Sequence, residues 1–327
     1  MEGLVHPPVA IVTGASSGIG EATATLFARR GWAVVLAARS EQNLDRVAAR
    51  IREAGGTALA VPTDVTDAHG RVHLVEQTLG TFGRVDALVN NAGMGIAGTI
   101  ETLDLDDMAY VFALNVLAPV ALTQAVVPVM RRQGRGTKGL RGVIVNVSSV
   151  IEAMAVPYMG GYGATKAALG YFSDAAAIEL AQDRIAVVKV VPGLTATGFD
   201  RNVLESGSGA SLEELLAKAA LLKAVPPERV AEEIWRAVGS GRSRRAQSLR
   251  DRAMVLAGRL FPRTANRLLK VAVKRYILPS GEPTKADVRR DLRDLGLTAG
   301  SAVAAVTAAA IGAWLWIRNV TRGRTPS

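Results

Sequence analysis

Six short runs of apolar residues recur along the first 200 residues of the chain, and longer stretches of mixed polar and apolar residues separate them. The runs are almost unbroken by polar residues, which is typical of strands buried on both faces of a sheet. The stretches between them have the spacing of amphipathic helices, and strands that alternate with helices form parallel sheets. The pattern predicts an α/β fold, a doubly wound parallel sheet with strands at 9–12, 34–37, 58–61, 87–89, 143–147 and 185–191.

A glycine-rich turn follows the first predicted strand, and a helical pattern through Ala22, Leu26 and Phe27 follows the turn. This order is that of the phosphate-binding start of a Rossmann fold. Glycines let the backbone approach a pyrophosphate, and the helix N-terminus offers free N–H groups. A lone glycine-rich turn is a weak signal, but this one lies in the required context. We expect the turn to bind a dinucleotide through Thr13, Gly14, Ser16, Ser17, Gly18, Ile19 and Gly20.

The end of the second predicted strand indicates which dinucleotide binds. A site for NAD(H) usually places an acidic residue here, where it binds the ribose 2′-hydroxyl. This chain has Ala38 followed by Arg39, and a guanidinium suits a 2′-phosphate through charge-assisted hydrogen bonds. The sequence therefore favours NADP(H) over NAD(H). The alternative is that Arg39 is an ordinary solvated loop residue.

Tyr162 and Lys166 carry the candidate chemistry. They are four residues apart, and Tyr162 comes thirteen residues after Ser149. On a helix, positions i and i+4 share a face, so the phenol and the ammonium can approach each other. A free phenol has a pKa near 10, and a nearby cation favours the phenolate. With the Ser149 hydroxyl beside them, the three side chains form a proton-transfer site for an alcohol or a carbonyl; on their own they are also consistent with an ordinary helix face.

In their order and spacing these motifs resemble the short-chain dehydrogenase/reductase family over about residues 8–240. The spacing to Tyr162 favours Ser149 over its neighbour Ser148. The resemblance implies a Rossmann fold, a nicotinamide cofactor and hydride transfer between a carbonyl and an alcohol. The further motifs that carry it are Asp64-Val65, Asn90-Asn91-Ala92-Gly93, Asn115 and Pro192-Gly193.

The resemblance also implies a role for each matching position. Tyr162 is implied as the general acid/base and Ser149 as the residue that orients the substrate oxygen. Lys166 is implied to bind the nicotinamide ribose and to lower the pKa of the tyrosine. Asn115 is implied to hold a helix kink open to a water that completes a proton relay. The implied cofactor contacts are Asp64 and Val65 at the adenine, Asn90, Asn91, Ala92 and Gly93 at the adenosine side of the cleft, and Pro192, Gly193, Thr195 and Thr197 at the nicotinamide.

Some of these residues also have simpler explanations. Asp64 is equally suited to a turn before a helix N-cap at Thr66-Asp67. Asn115 is consistent with an ordinary helical asparagine, and Pro192-Gly193 with a strand end. Only their joint order favours the functional interpretation.

The residues expected around the substrate are mostly apolar, and methionine packs adaptably. They predict an apolar, lipid-like or steroid-like carbonyl or alcohol, although core packing explains the same residues. Gly and Ser residues followed by a helical pattern at 195–222 suit a closing lid. The expected substrate contacts are Met94, Ile151, Met154, Val156, Met159, Leu194 and Phe199.

The composition limits other functions. The chain of 327 residues has no cysteine and three scattered histidines, so we expect no metal site. No secretory signal is apparent at the N-terminus, and we expect a cytoplasmic protein that forms a homo-oligomer, as the resemblance implies. The alternative is a membrane-tethered, nucleotide-binding regulatory or scaffold protein without turnover.

The net charge of +10 is concentrated near the C-terminus, where residues 241–297 contain 15 Lys and Arg against 5 Asp and Glu. Basic amphipathic helices can lie on anionic bilayers. Residues 298–317 carry no charge, and Trp314, Trp316 and Arg318 mark the end of this segment as an interfacial anchor does. We divide the chain into an oxidoreductase domain (1–240), a basic helical extension (241–297) and an apolar C-terminal helix (298–327).

This tail predicts association with a membrane surface or anchoring in it. The alternative is that the last helix packs on the domain or on a sister subunit. We do not expect nucleic-acid binding, because no recognition module accompanies the cations.

Overall fold

A single parallel sheet of six strands organises the part of the chain that the structure describes. This computed structural model describes residues 7–134, 139–153, 155–156, 158–193, 195–196, 203–207 and 224–243. The sheet order is β3-β2-β1-β4-β6-β7, with β1 (Val9–Thr13), β2 (Ala33–Ala38), β3 (Thr57–Pro62), β4 (Ala87–Asn90), β6 (Gly142–Val147) and β7 (Ile185–Val190). Every neighbouring pair in it is parallel. The doubly wound α/β fold is therefore confirmed, with all six predicted strands.

A second, two-stranded sheet was not predicted. It pairs β5 (Gly95–Ala97) with β8 (Val203–Glu205) in parallel, next to the carboxyl end of β4. Strands of three residues are too short to show a hydrophobic period, so the sequence pattern carried no signal for them.

Helices cover both faces of the main sheet. They are α1 (Gly18–Arg29), α2 (Glu41–Glu53), α3 (Ala68–Phe82), α4 (Leu105–Phe112), α5 (Ala118–Arg132), α6 (Gly160–Glu179) and α7 (Pro227–Ser240). A π-helical segment, Ala113–Leu117, joins α4 to α5, and 3-10 helices lie at Val150–Ala153 and Ala181–Asp183.

Alternate residues of each strand enter two separate cores, one on each face of the sheet. Ala10 and Val12 of β1 face a core that includes Phe27 of α1 and Ile234 of α7. Val9 and Ile11 face the other core, on the side of α3 and α5. Burial of each large apolar side chain contributes about 1.5 to 3 kcal/mol. This burial holds the strands in one register, so their carboxyl ends form a fixed edge.

Helix α7 ends at Ser240, and Gly241 caps it in the left-handed conformation. This lies at the predicted boundary of the first domain. The residues beyond 243, which include most of the predicted extension and all of the predicted apolar helix, lie outside the described part of the chain. The division of the tail therefore stays a prediction.

In the described part of the chain, one helical stretch is long and apolar enough to cross a membrane by length and composition. It is Leu105–Arg132, which comprises α4, the π-helical segment and α5. Half of the most apolar 18-residue part of this stretch is buried inside the domain, and Leu122, Val126 and Met130 lie in the core on one face of the sheet. A core helix of a globular domain has the same properties.

Gly20, in the first turn of α1, is packed too closely against its neighbours to accept a side chain. A Cβ on this residue would overlap the carbonyl oxygen of Gly14 and approach the side-chain amide of Asn91 within 2.7 Å. We expect Gly20→Ala to destabilise the protein by roughly 1 to 3 kcal/mol, because backbone cannot yield as a side chain can.

The matched control is Gly80→Ala in α3, where a Cβ would meet no atom within 4 Å. This exchange should stabilise the helix by up to about 1 kcal/mol. Thermal or urea unfolding of both variants measures the difference. Equal stability of the two variants would contradict the packing described at Gly20.

Candidate active site

The predicted site residues follow six different strands but lie at one edge of the sheet. The glycine-rich turn follows β1, Arg39 follows β2, and Asp64 follows β3. The Asn91–Gly93 segment follows β4, Ser149 follows β6, and Pro192 follows β7. Because the strands are parallel, their carboxyl ends meet at the same edge, which is where ligands bind in this kind of fold.

The glycine-rich turn is tied to the end of β4. The Thr13 hydroxyl accepts hydrogen bonds from the backbone N–H groups of Asn91 (2.9 Å) and Ala92 (3.0 Å), and donates one to the Val89 carbonyl (3.2 Å). The Asn91 side chain donates to the Thr13 carbonyl at 2.9 Å. Thr13, Asn91 and Ala92 therefore fix the turn against the neighbouring strand.

The turn fits a pyrophosphate. Gly14 has a φ of +65° and Gly18 a φ of +55°, the left-handed region that favours glycine. A Cβ on Gly14 would come within 3.0 Å of the Ala92 Cα, so the backbone there is accessible only without a side chain. Ser17 is the N-cap of α1, and its side chain makes no capping hydrogen bond. The Ser17 side chain therefore does not cap the N–H groups of the first turn of α1, and such free groups can bind phosphate.

Arg39 and Asp64 lie near each other beyond the ends of β2 and β3. The exposed Arg39 guanidinium donates to the Tyr110 hydroxyl at 3.1 Å. The Asp64 carboxylate accepts from the backbone and the hydroxyl of Thr66, at 2.8 and 2.7 Å. Burial acts to raise the pKa of Asp64, but these bonds and the charges of Arg39 and Arg71 hold it below its usual value.

Asp64 therefore does form the turn that the sequence allowed, and Asp67 is the N-cap of α3. Val65 is 5% exposed and packs into the core. The contacts predicted for Asp64 and Val65 with an adenine ring stay predictions.

Ser149, Tyr162 and Lys166 lie together, as predicted. A hydrogen bond joins the hydroxyls of Ser149 and Tyr162. The Lys166 Nζ lies 5.8 Å from the centroid of the Tyr162 ring and donates to the Val147 carbonyl, at the end of β6, at 3.0 Å. Tyr162 is 8% exposed and Lys166 5%. The arrangement can present the Tyr162 hydroxyl to a substrate oxygen.

The expected lowering of the Tyr162 pKa is wrong for this structure. Burial raises the pKa of Tyr162 to about 12, and the hydrogen bond with Ser149 opposes this effect only in part. Burial lowers the pKa of Lys166 to about 8, against an opposing effect of the Glu152 charge. Desolvation disfavours the charged form of each group, and the sequence gives no measure of desolvation.

Asn115 lies within the π-helical segment and is fully buried. Its side-chain amide donates to the Met94 carbonyl (2.8 Å) and the Thr165 hydroxyl (3.0 Å), and its Oδ1 accepts from the Met94 N–H (3.0 Å). The helix is therefore irregular at Asn115, and the opening to a water and the proton relay implied for this residue stay predictions. A Cβ on Gly93 would lie 3.0 Å from the Asn115 Oδ1 and 3.6 Å from the Lys166 Nζ, so Gly93 brings the backbone after β4 up to both residues.

The segment after β7 adjoins the serine. The Pro192 carbonyl accepts from the Val150 N–H at 3.0 Å, and the Gly193 carbonyl accepts from the Thr195 hydroxyl at 3.0 Å. Pro192 and Gly193 are buried beside Ser149. Thr197 lies outside the described residues, as do Met154, Leu194 and Phe199 of the expected substrate contacts.

An apolar cluster surrounds Tyr162. It contains every described residue of the expected substrate set, and we call it the apolar wall. Its members are Ile96, Val111, Ile151 and Tyr162, with Met94, Leu103, Met108, Val156 and Met159 packed against them.

The sequence interpretation missed Glu152. This residue lies in the 3-10 helix that follows Ser149, and its carboxylate accepts a hydrogen bond from the Ser148 hydroxyl at 2.5 Å. The two neighbouring serines thus have different partners, Glu152 for Ser148 and Tyr162 for Ser149. The available signal was a single acidic residue in an otherwise apolar run between Ser149 and Tyr162.

The described residues contain no group of three or more His, Cys, Asp or Glu that could hold a metal ion. The donors that converge at the sheet edge are hydroxyl, ammonium and backbone groups, which suit an organic cofactor.

A Rossmann sheet that brings a half-buried serine together with a buried tyrosine and lysine at its carboxyl edge is typical of a dinucleotide-dependent oxidoreductase. The family model described as short chain dehydrogenase matches residues 8–207, and the chain belongs to this family of NAD(P)-dependent enzymes.

Several known proteins are similar to the chain. A dehydrogenase/reductase SDR family protein 7-like from Anopheles gambiae is 33% identical over 82% of this chain and 80% of its own length. A 3-ketodihydrosphingosine reductase from Bacteroides thetaiotaomicron is 35% identical over 62% of this chain and 70% of its own. The structure of a 3-ketoacyl-(acyl-carrier-protein) reductase from Brucella melitensis complexed with NADH superimposes with a TM-score of 0.65, at 29% identity, over 75% of this chain and 98% of that one.

Proposed function

We propose that the protein interconverts an apolar carbonyl compound and its alcohol with NADP(H), using Ser149, Tyr162, Lys166 and Asn115. The observation that carries this proposal is the hydrogen bond between the half-buried Ser149 and the buried Tyr162, next to the buried Lys166, at the edge that also presents the glycine-rich turn. A binding protein has no need of this set.

The cofactor supplies or accepts the hydride, and the protein handles the proton. Ser149 holds the substrate oxygen next to Tyr162. Because burial keeps the pKa of Tyr162 high, the phenol is protonated at neutral pH and can donate its proton to a carbonyl oxygen during reduction. Lys166 is the candidate ligand of the nicotinamide ribose, and a water at Asn115 would resupply the proton. Pro192, Gly193, Thr195 and Thr197 are the candidate residues around the nicotinamide.

The apolar wall supports an apolar substrate. Met94, Met108 and Met159 pack against Tyr162 and Ile151, so a group bound beside the phenol meets methionine side chains, which adapt to varied apolar shapes. A relative with a long-chain lipid in its name, the 3-ketodihydrosphingosine reductase, is consistent with this class.

Tyr162→Phe tests the function. The variant keeps the ring but removes the hydroxyl, so we expect carbonyl reduction to fall by about 100-fold or more while NADPH binding stays within a few-fold of wild type. Tyr171→Phe is the matched control, because Tyr171 lies on the same helix and is 79% exposed. Steady-state kinetics and cofactor fluorescence measure both quantities. Turnover at the wild-type rate in Tyr162→Phe would exclude the proposed role.

Arg39 supports the choice of NADP(H). Its guanidinium lies beyond β2 and is exposed, and among the described residues it donates to a neutral tyrosine hydroxyl and to no carboxylate. Its charge is therefore available to a 2′-phosphate. The NADH complex of the Brucella melitensis enzyme shows that a similar fold also accepts NAD(H).

We expect Arg39→Gln to lower the preference for NADPH over NADH by roughly 10- to 100-fold, which corresponds to a charged hydrogen bond of about 1.5 to 3 kcal/mol. The ratio of kcat/KM with the two cofactors is the measurement. Arg29→Gln, at the opposite end of α1 from the turn, is the control for lost charge. An unchanged ratio in Arg39→Gln would mean that Arg39 is only a solvated residue.

The alternative is a membrane-tethered nucleotide-binding regulatory or scaffold protein without turnover. The juxtaposition of Ser149, Tyr162 and Lys166 argues against it, because a protein that only binds a nucleotide has no need of these three side chains together. The two functions differ in one measurement: an enzyme consumes NADPH with a panel of apolar ketones, whereas a scaffold binds NADPH and consumes none.

Exposed apolar side chains support a homo-oligomer. Leu117, Tyr171 and Ile178 are 61%, 79% and 81% exposed, and Phe172 is 48% exposed. Leu117 ends the π-helical segment just before α5, and the other three lie along α6. Contact with a second copy would remove this area from water.

The proposed location of the protein rests on the composition of its C-terminal tail, whose residues beyond 243 lie outside the described part of the chain. The basic segment 241–297 and the uncharged segment 298–317 support a cytoplasmic enzyme held at a membrane surface. Fractionation of the full chain and of a chain that ends at Leu297 distinguishes this from a helix packed on protein.

A further inference from the structure

One side of α6 leads from the catalytic residues to the surface of the domain. Tyr162, Lys166, Gly170 and Asp174 follow one another at intervals of four residues, so they lie next to each other along the helix. Tyr162 and Lys166 are buried, whereas the Asp174 side chain is 68% exposed. The row therefore crosses from the interior to solvent.

Glu152 fills the space beside Gly170 in this row. A Cβ on Gly170 would lie 3.0 Å from the Glu152 Oε2, so only the absence of a side chain at this position lets the carboxylate approach the helix. The hydrogen bond from the Ser148 hydroxyl, at 2.5 Å, fixes the direction of the carboxylate. Glu152 is half-buried, and its charge acts on the ammonium of Lys166, one turn earlier on α6.

Lys189 of β7 also lies close to Gly170. Its Nζ lies 3.9 Å from the same Cβ position on Gly170, donates to the Gly170 carbonyl at 3.4 Å, and forms an ion pair with Asp174 at 2.7 Å. Charges of alternating sign, Lys166, Glu152, Lys189 and Asp174, thus run from the site to the surface. The Glu152 carboxylate and the Lys189 ammonium both lie close to Gly170, and the charge of Glu152 also acts on the ammonium of Lys166.

We propose that Glu152 is a positioning residue that keeps Lys166 protonated, and so able to bind the cofactor, at the upper end of the physiological pH range. The inference rests on the proposed function of Lys166 and deepens it. It assigns the electrostatic partner of the catalytic lysine to a residue outside the Ser, Tyr, Lys and Asn set.

The physical reason lies in the opposing effects on the ammonium. Burial disfavours its charge and lowers the pKa of Lys166 to about 8, while Glu152 raises it. Among the described residues, Tyr162, the Val147 carbonyl and Asn115 also lie near the Lys166 ammonium, and all three are neutral at this pH. Without the carboxylate, desolvation acts unopposed, and the lysine loses its proton at lower pH. In a protein without the Glu152 carboxylate, the Lys166 ammonium is therefore charged in acid but has lost its charge near pH 8.

The test is Glu152→Gln, which keeps the size of the side chain and removes its charge. We expect the NADPH dissociation constant to match that of wild type near pH 6 and to rise several-fold above it near pH 8. The basic limb of kcat/KM should move to lower pH by about one unit. Glu152→Asp retains the charge and should restore most of the wild-type profile. Glu179→Gln, which removes an exposed acid from the same helix, should leave it unchanged.

The outcomes separate this inference from the proposed function. If wild type binds NADPH and reduces ketones, and Glu152→Gln has the same basic limb as wild type, Glu152 has no such role. An equal loss of affinity at every pH, with Glu152→Asp no better, indicates a purely structural residue and also overturns the inference. If wild type consumes no NADPH, the function fails; the shift of the pH profile for NADPH binding still decides the effect of Glu152.

Discussion

The burial of one cation, the ammonium of Lys166, constrains the rest of the site. A lysine that is 5% exposed must have partners in the protein, since an unpaired buried charge costs several kcal/mol. Its hydrogen-bond acceptor is the carbonyl of Val147 at the end of β6, and the charge of Glu152 favours its protonated form. The lysine therefore links helix α6 to the sheet edge. The same contact sets the position of Tyr162, one turn earlier, over the crevice.

The sheet is what makes this edge rigid enough for proton transfer. Two cores, one on each face, hold six parallel strands in register, so loops that are far apart in sequence end side by side. The hydrogen bonds between Thr13 and Asn91 show this at the level of single atoms, because they join the ends of β1 and β4 across 78 residues of chain. The glycine-rich turn and the catalytic residues are thereby held on one frame, at the place where a dinucleotide would lie along the edge.

The sequence was sufficient for features that repeat or that have a fixed local spacing. The six apolar runs predicted all six strands of the main sheet, and the interval from Ser149 to Tyr162 predicted which serine meets the tyrosine. Features that depend on tertiary environment were not predictable. Desolvation reversed the expected direction of the Tyr162 pKa, the strands β5 and β8 were too short to show a period, and Glu152 acquires its partners only because Gly170 leaves room for it. The tail lies beyond the described residues, so its assignment rests on composition alone.

The π-helical segment shows why an irregular element persists at the centre of the site. Asn115 sits in it with its amide bound to Met94 and Thr165 and its oxygen bound to the Met94 N–H, so every contact of the side chain holds the loop after β4 against α6. A regular α-helix closes its backbone hydrogen bonds one residue sooner, between residues i and i+4 rather than i and i+5, and would turn the side chain at 115 away from this junction. The irregularity thus joins three elements, the β4 loop, the π-helix and α6, at the residue next to Lys166.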